Sequence, residues 1–133
     1  MATSVSIRQA MYARLAGLAW SLSPAPAIVW ANTTNAGQRP RIEVAPAVAV
    51  NRAITFGASV NTMHEAELLL TVVVDVGRGE AESGPLVEDI QARFAAGTYV
   101  GDAVVTRAPD ERAPLVDGAE YRVPVFVPYR IAL

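Results

Sequence analysis

The stretch Glu67-Leu68-Leu69-Leu70-Thr71-Val72-Val73-Val74-Asp75-Val76-Gly77-Arg78-Gly79 limits the possible folds more than any other part of the chain. It is too short to cross a bilayer and too rich in valine to favour a helix, so it reads as a buried central strand. Gly77 and Gly79 end that strand. Ser83, Gly84 and Pro85 then supply helix-start chemistry, with proline near the first helical position, where its missing N–H costs nothing. The order is strand, glycine loop, helix.

A glycine loop of this kind can present backbone N–H groups to phosphate. Gly77-Arg78-Gly79 nevertheless lacks the third glycine of a dinucleotide fingerprint, and no P-loop lysine is available because all eleven basic residues are arginine. Glu80 and Glu82 would also repel phosphate. A small-ligand or nucleotide-binding domain using the loop from Gly77 to Gly84 is kept only as an alternative function.

The rest of the chain offers little chemistry. Its 133 residues, 52% hydrophobic, suit one domain with a packed core, and a formal charge of −2 gives no general attraction to nucleic acid or membrane. Cysteine is absent and His64 is the only histidine, which excludes thiolate catalysis, disulfides and paired-histidine metal sites. Asp75 and Glu67 share a strand face but lie toward opposite ends of it, too far apart for a close catalytic pair. The expectation is no enzyme activity, no catalytic residues, no metal and no cofactor.

In chain order, Ser6-Ile7-Arg8-Gln9 matches a capping box, and Ile7, Met11, Leu15, Leu18 and Leu22 recur at helical spacing up to Pro24 and Pro26. The same segment also has the outline of an export signal, with Arg8 and Arg14 before an apolar stretch and Ala25-Pro26-Ala27 after it. Ile28-Val29-Trp30 is a short apolar segment, with Trp30 a core or strand-edge anchor. Arg41-Ile42-Glu43-Val44 alternates as a strand limited by Pro40 and Pro46. Residues 47–64 show no sustained period and are expected to form a long mobile loop or a hairpin, with Arg52 and Phe56 available for partner contacts.

After the central strand, Leu86, Val87, Ile90 and Phe94 give the second helix its apolar stripe, and Gly97 suits a stop. Residues 99–106 read as one strand and residues 107–118 as a polar excursion. The chain closes on Tyr121-Arg122-Val123-Pro124-Val125-Phe126-Val127-Pro128-Tyr129-Arg130-Ile131, a long alternating strand. Pro124 and Pro128, four apart, remove donors from the same side, so the strand is expected at an edge or bulged, with its odd-numbered backbone groups pairing. Its odd side chains form an apolar face, while Arg122, Phe126 and Arg130 on the other face suit contact with another chain. Acidic residues such as Glu80, Glu82, Asp110 or Glu111 are expected near an opposing patch. The fold class that emerges is α+β: a single small domain over residues 1–133, a mixed and mostly antiparallel sheet with two helices packed on it.

This order of pieces resembles the phage tail terminator-like proteins of tailed phages and related gene-transfer particles. The resemblance is carried by the N-terminal helix, Ile28-Val29-Trp30-Ala31-Asn32, the strand before Ala45-Pro46-Ala47, the long loop, the Leu/Val-rich strand ending in Gly77-Arg78-Gly79, the helix ending in Ile90 to Phe94, and the closing proline-bearing strand. It implies a non-enzymatic structural protein of the virion that assembles as a homo-hexameric ring, caps the tail tube, stops its polymerisation and joins tail to head. The partners it implies are further copies of the chain, the tail tube protein and a head-side connector or neck protein, with DNA passing through the lumen without sequence-specific binding and no membrane. The implied location is the neck–tail junction of the virion, with assembly in the host cytoplasm. Another neck or tail-completion protein of the same fold is the alternative within assembly.

Overall fold

The computed structural model describes residues 4–23, 25–30, 38–53 and 62–132. Two helices and eight strands follow in the order α1 (Ser4–Ala16), β1 (Ala27–Val29), β2 (Arg41–Ala53), β3 (Thr62–Asp75), α2 (Gly79–Arg93), β4 (Tyr99–Val100), β5 (Ala103–Val105), β6 (Asp110–Glu111), β7 (Leu115–Asp117) and β8 (Glu120–Ala132). They form one mixed sheet, ordered β1-β2-β3-β8-β5-β4, with β6 and β7 also paired to β8. Among the described residues only β1 and β2 run parallel, and every other pair is antiparallel. This is the α+β architecture expected from the sequence.

The valine- and leucine-rich run is β3, flanked by β2 on one side and β8 on the other. Its even-numbered residues Leu68, Leu70, Val72 and Val74 are buried with Ile42 and Val44 of β2 and with Val123, Val125 and Val127 of β8. Ile7, Met11 and Leu15 of α1 and Leu86, Val87, Ile90 and Phe94 of α2 complete the same core. Burying side chains of this size contributes about 1.5–3 kcal/mol each before conformational entropy is subtracted. Of the segment with the outline of an export signal, residues up to Ala16 lie in α1, and Ile7, Met11 and Leu15 are buried in the core.

Helix limits differ from the sequence expectation at three places. Ser6 lies inside α1, not at its cap, and the helix stops at Ala16, well before Pro24. Gly17 follows, a poor helix former, and a Cβ there would sit 3.1 Å from Arg93 Nη2. Leu18 and Leu22 pack on the core from beyond the helix. Helix α2 begins at Gly79, so Pro85 lies inside it. Glu80 and Glu82 in its first turn complement the positive N-terminal end, and burial of Ser83, Leu86, Val87 and Ile90 holds the helix despite the one hydrogen bond that Pro85 cannot donate.

Strand limits differ as well. β2 does not end at Pro46: Ala45 pairs with Leu69 and Val48 with Glu67, so three steps on β2 match two on β3 and one extra residue is absorbed as a bulge. The bulge takes Pro46 out of the regular ladder. Beyond it β2 and β3 pair as far as Ala53 and Thr62, which places residues 47–53 and 62–64 in strands; residues 54–61 fall outside the described residues. The single strand expected over residues 99–106 is two, β4 and β5, turned at Gly101, whose φ of 60° suits glycine.

The closing strand is not at an edge. β8 pairs along its whole length with β3, and on its other side with β5, β6 and β7. β7 covers residues 120–122, β6 covers 125–126 and β5 covers 129–131, so each gap in this outer ladder contains one of the prolines. The carbonyls of Pro124 and Pro128 accept the N–H groups of Arg112 and Thr106 at 2.9 and 3.0 Å, so even-numbered backbone groups point to this side and odd-numbered groups to β3. The prolines thus segment the outer neighbour and leave β8 inside the sheet.

Candidate subunit-contact surface

Helices cover one face of the sheet, and the odd-numbered residues of β3 line the other. On that open face the register aligns Arg41, Val73 and Arg122 in one row, Glu43, Thr71 and Pro124 in the next, and Ala45, Leu69 and Phe126 in a third. Asp75 lies opposite Glu120 at the end of the same face.

Four of these side chains close a ring of charges. Arg41 meets Glu43 at 2.8 Å and Glu120 at 2.7 Å, while Arg122 meets Glu120 at 3.0 Å and Glu43 in a short contact. Arg39 extends the network to Asp75 at 2.6 Å and reaches Glu120 at 3.5 Å. The ring joins β2 to β8 across β3 and sits over Val73, which is fully buried although it is not part of the helix-side core. The Arg41 side chain is only 2% exposed, so its charge must be paired, and two carboxylates hold it.

Electrostatics follow from this closure. Burial acts to raise the Glu43 carboxyl, but hydrogen bonds from Arg122 and Arg41 outweigh it and hold the group below the usual carboxylate range. Glu120 is lowered chiefly by the Arg41 hydrogen bond, against a smaller opposing effect of burial. Burial alone would lower the Arg41 guanidinium; its two carboxylate partners leave it above its ordinary value. Glu43, Glu120 and Arg41 are thus each held in their charged forms by the others.

Of the five residues expected to make partner contacts, the structure describes the surroundings of Arg122, Phe126 and Arg130. Arg122 is engaged inside its own subunit by the ring. Phe126 is half-buried, with the Arg112 guanidinium 4.4 Å from its ring centre. Arg130 is exposed, paired in register with Glu65 on one side and Val104 on the other. The Arg52 backbone lies in the β2 arm opposite Met63, and Phe56 falls outside the described residues. Asp110 and Glu111 do not belong to an opposing patch: they are β6, paired directly with Phe126 and Val125, and Asp110 binds Arg112 at 2.7 Å. Glu80 and Glu82 lie apart from them, in the first turn of α2.

Sequence reasoning missed Arg41, Glu43 and Glu120. The signal for them was opposite charge at i and i+2 in both Arg41-Ile42-Glu43 and Glu120-Tyr121-Arg122, which puts each pair on one strand face. The glycine loop also resolves: Arg39 is paired with Asp75, and Arg78 with Glu82 at 3.4 Å. Among the described residues, both cations lining this cleft with Gly77 and Ala81 are paired with carboxylates. Trp30 packs on the core with its ring centre 5.4 Å from that of Tyr12, as an anchor would.

Residues 6–129 match the sequence profile described as phage tail terminator protein. No curated protein matches the chain. Among solved structures, one superimposes with a TM-score of 0.70 at 20% sequence identity, covering 98% of this chain and 96% of its own, a likeness of fold.

Proposed function

This chain belongs to the phage tail terminator family and is a structural component of phage tail assembly that works with other tail and head proteins, and from that premise we propose that it forms a homo-hexameric ring that caps the finished tail tube. The ring stops further tube polymerisation, sits at the neck–tail junction and joins the tail to the head-side connector or neck protein of a tailed phage or gene-transfer particle. It assembles in the host cytoplasm, lets DNA pass through its lumen without reading sequence, and acts without catalysis, cofactor or membrane. The observation that carries this reading is the family match, which spans nearly the whole domain, from α1 to the end of the core-facing part of β8.

The structure adds physical support of a general kind. Among the described residues the sheet has one face free of helices, and Arg130, Leu115 and Val116 stand exposed along β8 and β7, features that suit a protein acting through contacts with other chains. The test is to mix the purified protein with polymerising tail tube subunits and measure tube length by electron microscopy. Tubes of limited length, each ending in a ring of this protein, are the expected outcome. Tubes that elongate unchecked while the protein binds only the head-side connector would place it among neck proteins instead.

A further inference from the structure

The last three-residue strand before β8 is built unlike a solvent edge. Leu115 and Val116 are both 64% exposed, and because successive residues of a strand point to opposite sides, β7 shows an apolar side chain on each face. Leu115 pairs with Arg122 on the open face of the sheet and Val116 with Tyr121 on the helix side. Apolar residues on both faces are the pattern of an interior strand. β7 pairs only with β8 among the described residues; Pro114 before it and Asp117 at its end bound it, and between them Leu115 and Val116 carry no charge.

The opposite end of the same sheet has a matching feature. β1 is Ala27-Ile28-Val29, also three residues, also apolar, and among the described residues it pairs only with β2. We infer that β7 of one subunit adds to β1 of the next copy of the chain, so that the sheet continues from subunit to subunit. This rests on the ring reading above and specifies the contact that builds the ring. One chain supplies both halves, and because the halves differ the contact is head-to-tail, the kind that closes into rings.

Symmetry selects this pairing over β7 against itself. Two copies of β7 paired antiparallel make a two-fold contact, which closes a pair of subunits and not a ring. Residues 21–38, which contain β1 and its flanks, have no charged side chain, so β1 meets Asp117 at the end of β7 without like-charge repulsion. Ala27 and Val29 lie on the open face, in register with Arg41 and Glu43, so in a continuous sheet they share a face with Leu115.

The chain has no cysteine, so an engineered pair reports cleanly. Leu115→Cys and Val29→Cys together, on one chain, place thiols on neighbouring strands, where Cα separations of about 4.5–5.5 Å permit a disulfide. Mild oxidation in the presence of tail tube protein is expected to give the double variant a ladder of cross-linked species ending at the ring, while each single variant stays at the mass of one chain. Leu115→Asp with Val116→Asp, at positions already exposed, is expected to keep the circular dichroism of the parent and to lose ring formation. Rings that form without cross-linking, and that survive the double aspartate change, overturn the β7–β1 contact and leave the ring reading intact. Dimers from Leu115→Cys alone also overturn it. Absence of rings in the parent protein under every condition removes both.

Discussion

Arg14 and Arg93 cap each other's helices: Arg14 Nε donates to the Arg93 carbonyl at 2.8 Å, and Arg93 Nε donates to the Arg14 carbonyl at 3.0 Å. Each arginine is in or next to the last turn of its own helix, where the dipole is negative and carbonyls lack intrahelical donors. The exchange binds the C-terminal ends of α1 and α2 together despite two like charges, and the proximity of Arg93 adds to desolvation in lowering the Arg14 guanidinium below its ordinary value. Arg93→Ala and Arg14→Ala are each expected to destabilise by about 1 kcal/mol, at the low end for charged hydrogen bonds because both side chains are partly exposed. Urea midpoints of the single and double variants measure this.

The charge ring on the open face has a defined dependence on pH. Glu43 and Glu120 titrate below the usual carboxylate range in the folded protein, so the stability they contribute is complete above their unfolded value of about 4.3 and is lost as pH falls through the lowered values. Urea midpoints followed downward from neutral pH should drop through that acid range. An Arg41→Met variant, which removes the central cation of the ring, should show a shallower fall over the same range.

Glu120→Ala leaves the buried Arg41 guanidinium with Glu43 and frees one arm of Arg122. Breaking a fully buried pair costs about 3–5 kcal/mol, and the partial exposure of Glu120 together with the surviving partner reduces the expected loss to about 2 kcal/mol. Thermal or chemical unfolding of the purified variant checks the value.

Val73 tests whether the ring shields apolar surface. It is fully buried on a face that no helix covers among the described residues, so Val73→Ala should cost about 1–2 kcal/mol through lost burial and a residual cavity. Thr71, two residues earlier on the same face but only half-buried, should tolerate alanine within about 0.5 kcal/mol. Equal effects at the two positions would mean that the charges do not shield Val73.

Arg130→Glu places like charges opposite each other, at Glu65, and should lower stability by no more than about 1 kcal/mol. If this exposed arginine contacts a neighbouring subunit or the tube, the folded variant will fail to limit tube length in the polymerisation assay.

Much of the fold was legible because it depended on local signals. The β-branched run of β3, the apolar spacing of Leu86, Val87, Ile90 and Phe94, and the alternation of β8 each announce an element through its own period. What sequence reasoning missed depends on neighbours. Pro124 and Pro128 truthfully report missing donors on one side, but a missing donor is compatible either with no neighbour or with a broken one, and only the pairing of β5, β6 and β7 decides between them. Pro46 likewise reads as a strand end unless a bulge can absorb it. The charge ring brings together residues 79 positions apart, Glu43 and Arg122, on strands separated by a third, so neither half of the ring reveals the other. Of the expected contact residues, the sequence separated core-facing from outward-facing positions on β8, but it could not show that Arg122 is already occupied within its own subunit.

Because Pro124 and Pro128 divide the outer neighbour of β8 into three separately anchored pieces, the register of each piece is set by its own contacts and not by the others. Chain length in the connections at residues 106–109 and 112–114 is therefore decoupled from the alignment of the sheet. An insertion there would bulge outward without sliding any strand, leaving this rim of the subunit able to vary in shape while the layer beneath it stays fixed.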